Sequence, residues 1–231
     1  LVLEQAPRDK LLYRDQYQRT YLHWFVAQSV AHQWNDSQLM QPLLQIPELL
    51  SDEYLCDTYG NTPLHTAAWS GESEYIGILC KALPKAVAKK DQKGRTPLHL
   101  ACTAGVFDSV RELLRLSEVV ANVNAQDVKL RTPLIEAALS GSWKIVQLLL
   151  DLKADTTLVD VSGNNVLDAA ITNRRQMVLL ILVKCGIFPA DLVVARIEDH
   201  EAGALKGQFE ALIAETQGLD VQDLMSKPGF Q

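Results

Sequence analysis

The chain is predicted to fold as an all-α solenoid, a stack of helix-turn-helix units carrying hairpin-like fingers and closed by C-terminal capping helices. Three observations predict it. A decapeptide recurs at Thr62 (TPLHTAAWSG), Thr96 (TPLHLACTAG) and Thr132 (TPLIEAALSG), with a weathered copy at Asn165 (NVLDAAITN), so that the steps are 34, 36 and 33 residues. Self-similarity at such a period is the mark of one supersecondary unit stacked repeatedly on itself. An aspartate stands five residues before each copy, at Asp57, Asp91, Asp127 and Asp160. Downstream of the copies, apolar residues recur at helical spacing, as with Val110, Leu113, Leu114 and Leu116, and a helix carrying such a stripe must cover it with a neighbour.

Taken in order, residues 1–13 read as an N-terminal arm or helix. Asp15 stands five residues before Thr20, and Thr20-Tyr21-Leu22-His23-Trp24-Phe25-Val26 is a disguised copy in which bulky residues replace the alanines of later repeats. A helix pressed between two neighbours needs small residues, whereas a terminal one tolerates Phe25 and Val26; this is the first repeat, acting as an N-terminal cap. Five repeats follow from this alignment, at about 14–56, 57–90, 91–126, 127–159 and 160–188. The first is the longest, with 42 residues between Thr20 and Thr62 and a connection around Gln41-Pro42 and Ile46-Pro47. Within the third repeat, Asp91 to Arg95 forms the finger and Thr96 caps the first helix. Pro97 fills the first turn, where a missing N–H costs nothing, and Gly105 allows the left-handed turn into the second helix. The joints are less regular: Leu83-Pro84-Lys85, Ser117 to Asn124, and Lys153-Ala154-Asp155, where lysine replaces a glycine. Asn173 is expected to take the left-handed turn of the fifth repeat. Beyond Pro189 the repeats stop, and residues 189–217 read as two capping helices, the second with Leu205, Phe209, Leu212 and Ile213 on one face. Residues 218–231 read as a tail.

T-P-L-H opening a helix at a period near 33 resembles the ankyrin-repeat family, and the likeness runs from Asp15 to about Phe188. It implies a non-catalytic protein-protein interaction module that recognises its partner through a concave surface, as a scaffold, adaptor or inhibitor. The alternative is the targeting or substrate-recruiting region of a larger enzyme, channel or secreted pathogen effector. The same resemblance implies that His23, His65 and His99, which share one repeat position, make inter-repeat hydrogen bonds rather than a metal or catalytic cluster. Ile135 and Asp168 hold that position in the last two repeats.

Composition narrows the function further. The 231 residues are 48% hydrophobic and carry a net charge of -6, which disfavours nucleic acid and acidic lipid as partners because both select a basic surface. Cys56, Cys80, Cys102 and Cys185 lie far apart with no paired spacing, so neither a zinc site nor a disulfide framework is expected. Cys102 occupies a small-residue packing position and lacks the activating surroundings of a nucleophile. No apolar run reaches the length of a membrane span. Phosphate-binding glycine loops, G-x-S-x-G and H-E-x-x-H are all missing. The expectation is an intracellular protein, cytoplasmic or nuclear, without enzymatic activity, cofactor or metal. Because it begins at Leu1 rather than Met, the chain reads as a fragment.

The recognition surface that the resemblance implies is made of finger tips and the exposed side of each first helix. Fingers carry Tyr59, Lys93 and Lys129 before the usual glycine position, and Arg95 and Arg131 after it. Exposed first-helix positions are assigned to Trp69, Thr103, Leu139 and Ile171. The candidate partner-binding set is therefore Tyr59, Trp69, Lys93, Arg95, Lys129, Arg131 and Leu139. Tyr, Trp and Arg bury large areas while keeping a polar handle, and four cations on adjacent fingers of an acidic protein point to a partner with an acidic segment.

Overall fold

A computed structural model describes residues 11–32, 40–115, 122–200, 203–221 and 223. The described residues form helices and no strand, and the chain divides into two compact units, Leu1–Val128 and Lys129–Gln231. Residues 1–10 of the expected arm, Trp34, Leu116 and most of the expected tail lie outside the described residues.

In the first unit, α1 (Tyr21–His32) packs on α4 (Pro63–Ser70), and α4 packs on α6 (Pro97–Ala104). The second helices α5 (Ser73–Ala82) and α7 (Phe107–Leu114) form the layer behind. Ala67, Ala68, Ala101 and Cys102 are fully buried, as helices squeezed on both sides require. Bulky Phe25 is accommodated at the start of the stack, edge-on against Tyr75 with ring centroids 5.7 Å apart. The long first repeat uses both of its expected connecting prolines to start helical turns. Pro42 opens α2 (Gln41–Leu44), Pro47 opens a 3-10 turn (Pro47–Leu50), and α3 (Asp52–Leu55) follows, with Met40, Leu43, Leu49 and Leu55 turned inward. The joint after repeat two is a 3-10 turn, Pro84–Val87, that buries Ala86 and Val87.

In the second unit, α8 (Pro133–Ser140) packs on α10 (Val166–Thr172), and α9 (Trp143–Asp151) on α11 (Gln176–Lys184). The two layers are then continued by non-repeat helices: α12 (Ala190–Asp199) lies against α10, and α13 (Gly203–Glu215) against α11. Val193 and Ile197 of α12 and Leu205 and Phe209 of α13 are buried, so these helices cover the apolar face that the fifth repeat would otherwise expose. Lys184 donates to the carbonyls of Thr216 and Leu219 at 2.8 and 2.9 Å, which satisfies chain-end acceptors just past α13.

The recurring aspartate builds the finger. Its Oδ1 accepts two backbone N–H groups, from Tyr17 and Arg19 at Asp15, Tyr59 and Asn61 at Asp57, Lys93 and Arg95 at Asp91, and Ser162 and Asn164 at Asp160, all within 2.8–2.9 Å. Each finger then bonds to the next through one backbone N–H: Thr58 to the carbonyl of Tyr17, Gln92 to Tyr59, and Val128 to Lys93 in the first unit, and Val161 to Lys129 in the second, at 2.8–3.0 Å.

Two expectations about the turns change. Lys153 does stand in for glycine, with φ 60 and the hydrogen bonds of a regular turn intact, so the joint keeps its geometry. In the fifth repeat the left-handed residue is Arg174, at φ 54, and not Asn173, at φ -96. Counting explains it: Gly71, Gly105 and Gly141 stand nine residues after their capping residues, and nine after Asn165 is Arg174. Asn173 instead turns its side-chain amide onto the carbonyl of Ala169.

Candidate functional site

The histidines are structural. The backbone N–H of Thr62 donates to Nδ1 of His65, and the His65 backbone N–H donates to the Thr62 hydroxyl, a reciprocal cap on α4. Because Nδ1 accepts, the proton sits on Nε2, which donates to the carbonyl of Arg95 in the following finger at 3.0 Å. His23 repeats the arrangement with Thr20 and the carbonyl of Asn61, and His99 caps α6 through Thr96. Burial pulls the His65 pKa down to about 4 and lowers that of His23, so both rings are neutral linchpins rather than acid-base groups.

In the first unit, the finger tips and first helices present aromatic side chains. Tyr59 is 55% exposed and stacks on Tyr17, with centroids 6.4 Å apart and planes inclined by 27°. Trp69, near the end of α4, is 52% exposed. It lines a cleft of about 370 Å³ together with Asn61, His65, Thr66, Arg95 and Leu100. One finger earlier, the guanidinium of Arg19 lies over both Tyr17 and Trp24, 5.1 and 4.5 Å from the ring centroids, within cation-π range. Lys93 is exposed at the tip of the third finger.

Arg95 has a second role that charge counting does not reveal. Its Nε and guanidinium Nη2 both bond Oδ2 of Asp91, at 2.8 and 2.7 Å, leaving 21% of the side chain exposed toward the cleft. Burial would raise the Asp91 pKa, but the hydrogen bonds from Arg95 and Lys93 outweigh it and hold the carboxylate below its ordinary value. Arg19 braces Asp15 in the same way, and Asn61 reaches Asp57 at 3.2 Å. The signal was present as Asp-x-x-x-Arg or Asp-x-x-x-Asn in successive fingers: Asp15 to Arg19, Asp57 to Asn61 and Asp91 to Arg95.

In the second unit, Arg131 pairs with Glu136 of α8 at 3.0 Å, and Glu136 is buried. Lys129 is exposed, and Leu139 is half-buried with its carbonyl accepting from Arg175. Ile171 is fully buried, so the exposed first-helix position in repeat five belongs to Thr172, seven residues after Asn165 as Trp69 is seven after Thr62. This is the same one-residue slip that misplaced the left-handed turn. Asp168 takes the place of the repeat histidine. Its Oδ2 accepts from the backbone N–H of Asn165, and its Oδ1 from Arg196 at 2.7 Å and His200 at 3.3 Å.

Cys80 and Cys102 are buried, Cys56 and Cys185 half-buried. Burial pushes the Cys185 thiol upward in pKa, and its Sγ donates to Gln147, which is the opposite of an activated nucleophile. Among the described residues, no three His, Cys, Asp or Glu side chains are grouped to hold a metal ion, and no helix is long and apolar enough to cross a membrane.

Capped first helices, hydrogen-bonded fingers and the histidines His23 and His65 that join a first helix to the following finger accord with a family comparison. The sequence matches the family described as ankyrin repeats (3 copies) over residues 22–127 and 116–191. The chain belongs to the ankyrin-repeat family. Similar proteins include the transient receptor potential cation channel subfamily A member 1 of Homo sapiens, 31% identical over 176 residues, or 74% of this chain and 15% of the channel. The protein of the same name from Drosophila melanogaster is 28% identical over 156 residues, 52% of this chain and 13% of the channel. The human ankyrin and armadillo repeat-containing protein is 28% identical over 129 residues, covering 55% of this chain and 9% of that protein. The chain thus corresponds to a small part of the length of these relatives.

Proposed function

We propose that this chain is a protein-recognition module whose principal contact surface is the aromatic face of the first unit: Tyr59 at a finger tip and Trp69 at the cleft, bordered by Lys93 and the exposed edge of Arg95. The observation that carries the reading is Trp69, a large side chain half in solvent beside a formed cleft. Exposing a tryptophan is costly unless something covers it, and such anchors dominate interface energies. Lys93 favours an acidic segment in the partner. Arg95 contributes through its aliphatic edge and remaining exposure, since its charge is largely met by Asp91. In the second unit, Lys129, Arg131 and Leu139 are proposed as further contacts; Lys129 offers an exposed charge, whereas Arg131 is held by Glu136.

The test is a purified partner, identified by affinity capture and then measured by calorimetry against the wild-type chain and Trp69→Ala. Loss of at least about thirtyfold in affinity, or 2 kcal/mol, is expected for an anchor. Unchanged affinity in a normally folded variant would reject the surface. Affinity should also fall as salt rises, because exposed charge contacts are screened beyond about 8 Å at physiological ionic strength.

A second reading is favoured by the relatives, of which the chain covers only 9–15%. Here the module is the recruiting or targeting segment of a larger channel or enzyme whose activity lies elsewhere. The non-catalytic character proposed for these residues holds under both readings.

A further inference from the structure

The hydrogen-bonding groups left open at the Trp69 cleft define the chemistry of what fills it. The finger carbonyls beside the cleft already accept. That of Tyr59 accepts from the Gln92 backbone N–H at 2.9 Å, that of Thr58 from the Gln92 side-chain amide at 2.7 Å, and those of Asn61 and Arg95 from the Nε2–H groups of His23 and His65 at 2.9 and 3.0 Å. Donors remain. Neither the Trp69 indole N–H nor the Tyr59 hydroxyl has a partner among the described residues, and Arg95, which turns Nε and Nη2 onto Asp91, keeps the N–H groups of Nη1. Against these donors the cleft sets the side-chain oxygens of Asn61 and Thr66. A complementary ligand therefore brings more acceptors than donors.

An ordinary peptide carries one N–H for each C=O, whereas every proline keeps the carbonyl and lacks the N–H. A proline-rich segment also supplies pyrrolidine rings that lie flat on aromatic side chains, in a polyproline II conformation set before binding. Charge argues against the other ligand that aromatic faces attract, a cation. The guanidinium of Arg19 already lies over Tyr17 and Trp24, Arg95 lines the cleft, and Lys93 is exposed at the following finger tip. These cations repel a basic segment and favour an acidic one.

We infer that the Trp69 cleft takes a proline-rich segment of a partner protein in the polyproline II conformation. Its rings rest on Tyr59 and Trp69, its carbonyls accept from the Trp69 indole N–H and from Arg95, and an acidic residue flanks it for Lys93. The inference rests on the Trp69 surface proposed above and names what that surface recognises.

The experiment selects random peptides displayed on phage against the full chain, then measures synthetic versions of the enriched sequences by fluorescence anisotropy. Those sequences should share prolines and an acidic flank and be poor in Lys and Arg. Replacing a shared proline by alanine, which restores an N–H, should weaken binding at least about tenfold, as should Trp69→Ala in the chain. Trp69→Phe, which keeps a ring and loses the donor, should weaken it about fivefold. Melting curves by circular dichroism should match the native chain for both variants, since Trp69 is half in solvent, so that the losses are losses of binding. The inference is overturned by an absence of enriched sequences, by enrichment of peptides without proline or rich in Lys and Arg, or by proline-rich peptides that Trp69→Ala or Trp69→Phe binds as tightly as the native chain does. If a captured protein partner needs Trp69 while no proline-rich peptide does, this inference fails and the recognition surface stands; if neither needs Trp69, both fail.

Discussion

Gln18, Leu130, Lys153 and Arg174 are the non-glycine residues at positive φ among those described, and they divide into two kinds. Lys153 and Arg174 end helices. The N–H of Arg174 bonds Ile171 and that of Arg175 bonds Ala170, the pattern that Gly105 and Val106 make with Cys102 and Ala101. Their side chains gain nothing from the conformation, so Arg174→Gly and Lys153→Gly should each stabilise the fold by about 0.5–1 kcal/mol, after allowing for glycine's greater freedom when unfolded. Urea unfolding checks this through a raised midpoint at constant slope. A lowered midpoint would mean that these side chains hold the turn in some other way. Gln18 and Leu130 are instead finger residues, and Leu130 combines the strain with apolar exposure.

At the scale of the element, the repeat is held by a helix cap and a finger joined through one imidazole. His65 must remain neutral to accept from Thr62 and donate to Arg95. Its pKa is about 4 when folded, against an ordinary 6.5, so between those values the unfolded chain binds more protons. Stability from this group is complete above pH 6.5 and is lost as pH falls toward 4, by roughly 3 kcal/mol in all. The His23 shift has the same sign. Urea midpoints taken between pH 7.5 and 4.5 should therefore decline, and His65→Gln should flatten the decline; an equal slope in that variant would place the acid sensitivity elsewhere. The cap, the proline and the glycine were legible in the sequence because each answers a local backbone need. What was hidden lay in pairing and register. Arg95 read as a surface charge because the Asp-x-x-x-Arg spacing that lets its guanidinium fold back onto Asp91 is also the spacing of the finger itself, so the pairing was hidden inside the turn signal. The Asn165 repeat lost its threonine, proline, histidine and glycine together, so its alignment slipped by one at Ile171 and Asn173. The strained Leu130 was visible only as a glycine missing from Asp127-Val128-Lys129-Leu130.

At the scale of the molecule, a stack of repeats needs a rule for ending. Within the first unit, His23 and His65 pass a hydrogen bond onward as donors, each to a carbonyl in the next finger. Asp168 reverses the polarity: at the same repeat position it offers an acceptor, which a finger carbonyl cannot use and the guanidinium of Arg196 can. Asp168 thus bonds a helix, α12, at the repeat position from which His23 and His65 bond a following finger. Burial opposes the Asp168 charge, but hydrogen bonds from Arg196, the Asn165 N–H and His200 prevail and lower its pKa; its stabilisation is present above the ordinary value of 3.8 and disappears in stronger acid. Asp168→Asn keeps the shape and the cap on α10 but removes the charge, and should cost about 1–2 kcal/mol. Asp168→His restores the repeat residue and should cost more, since it sets an imidazole N–H against Arg196 with no carbonyl to receive it. Amide hydrogen exchange reads the effect directly: protection of Val193 to Ile197 in α12 should fall in the order wild type, Asp168→Asn, Asp168→His. If the histidine variant protects α12 as well as the native carboxylate does, apolar burial of Val193 and Ile197 alone seats the helix, and Asp168 does not set the end of the stack.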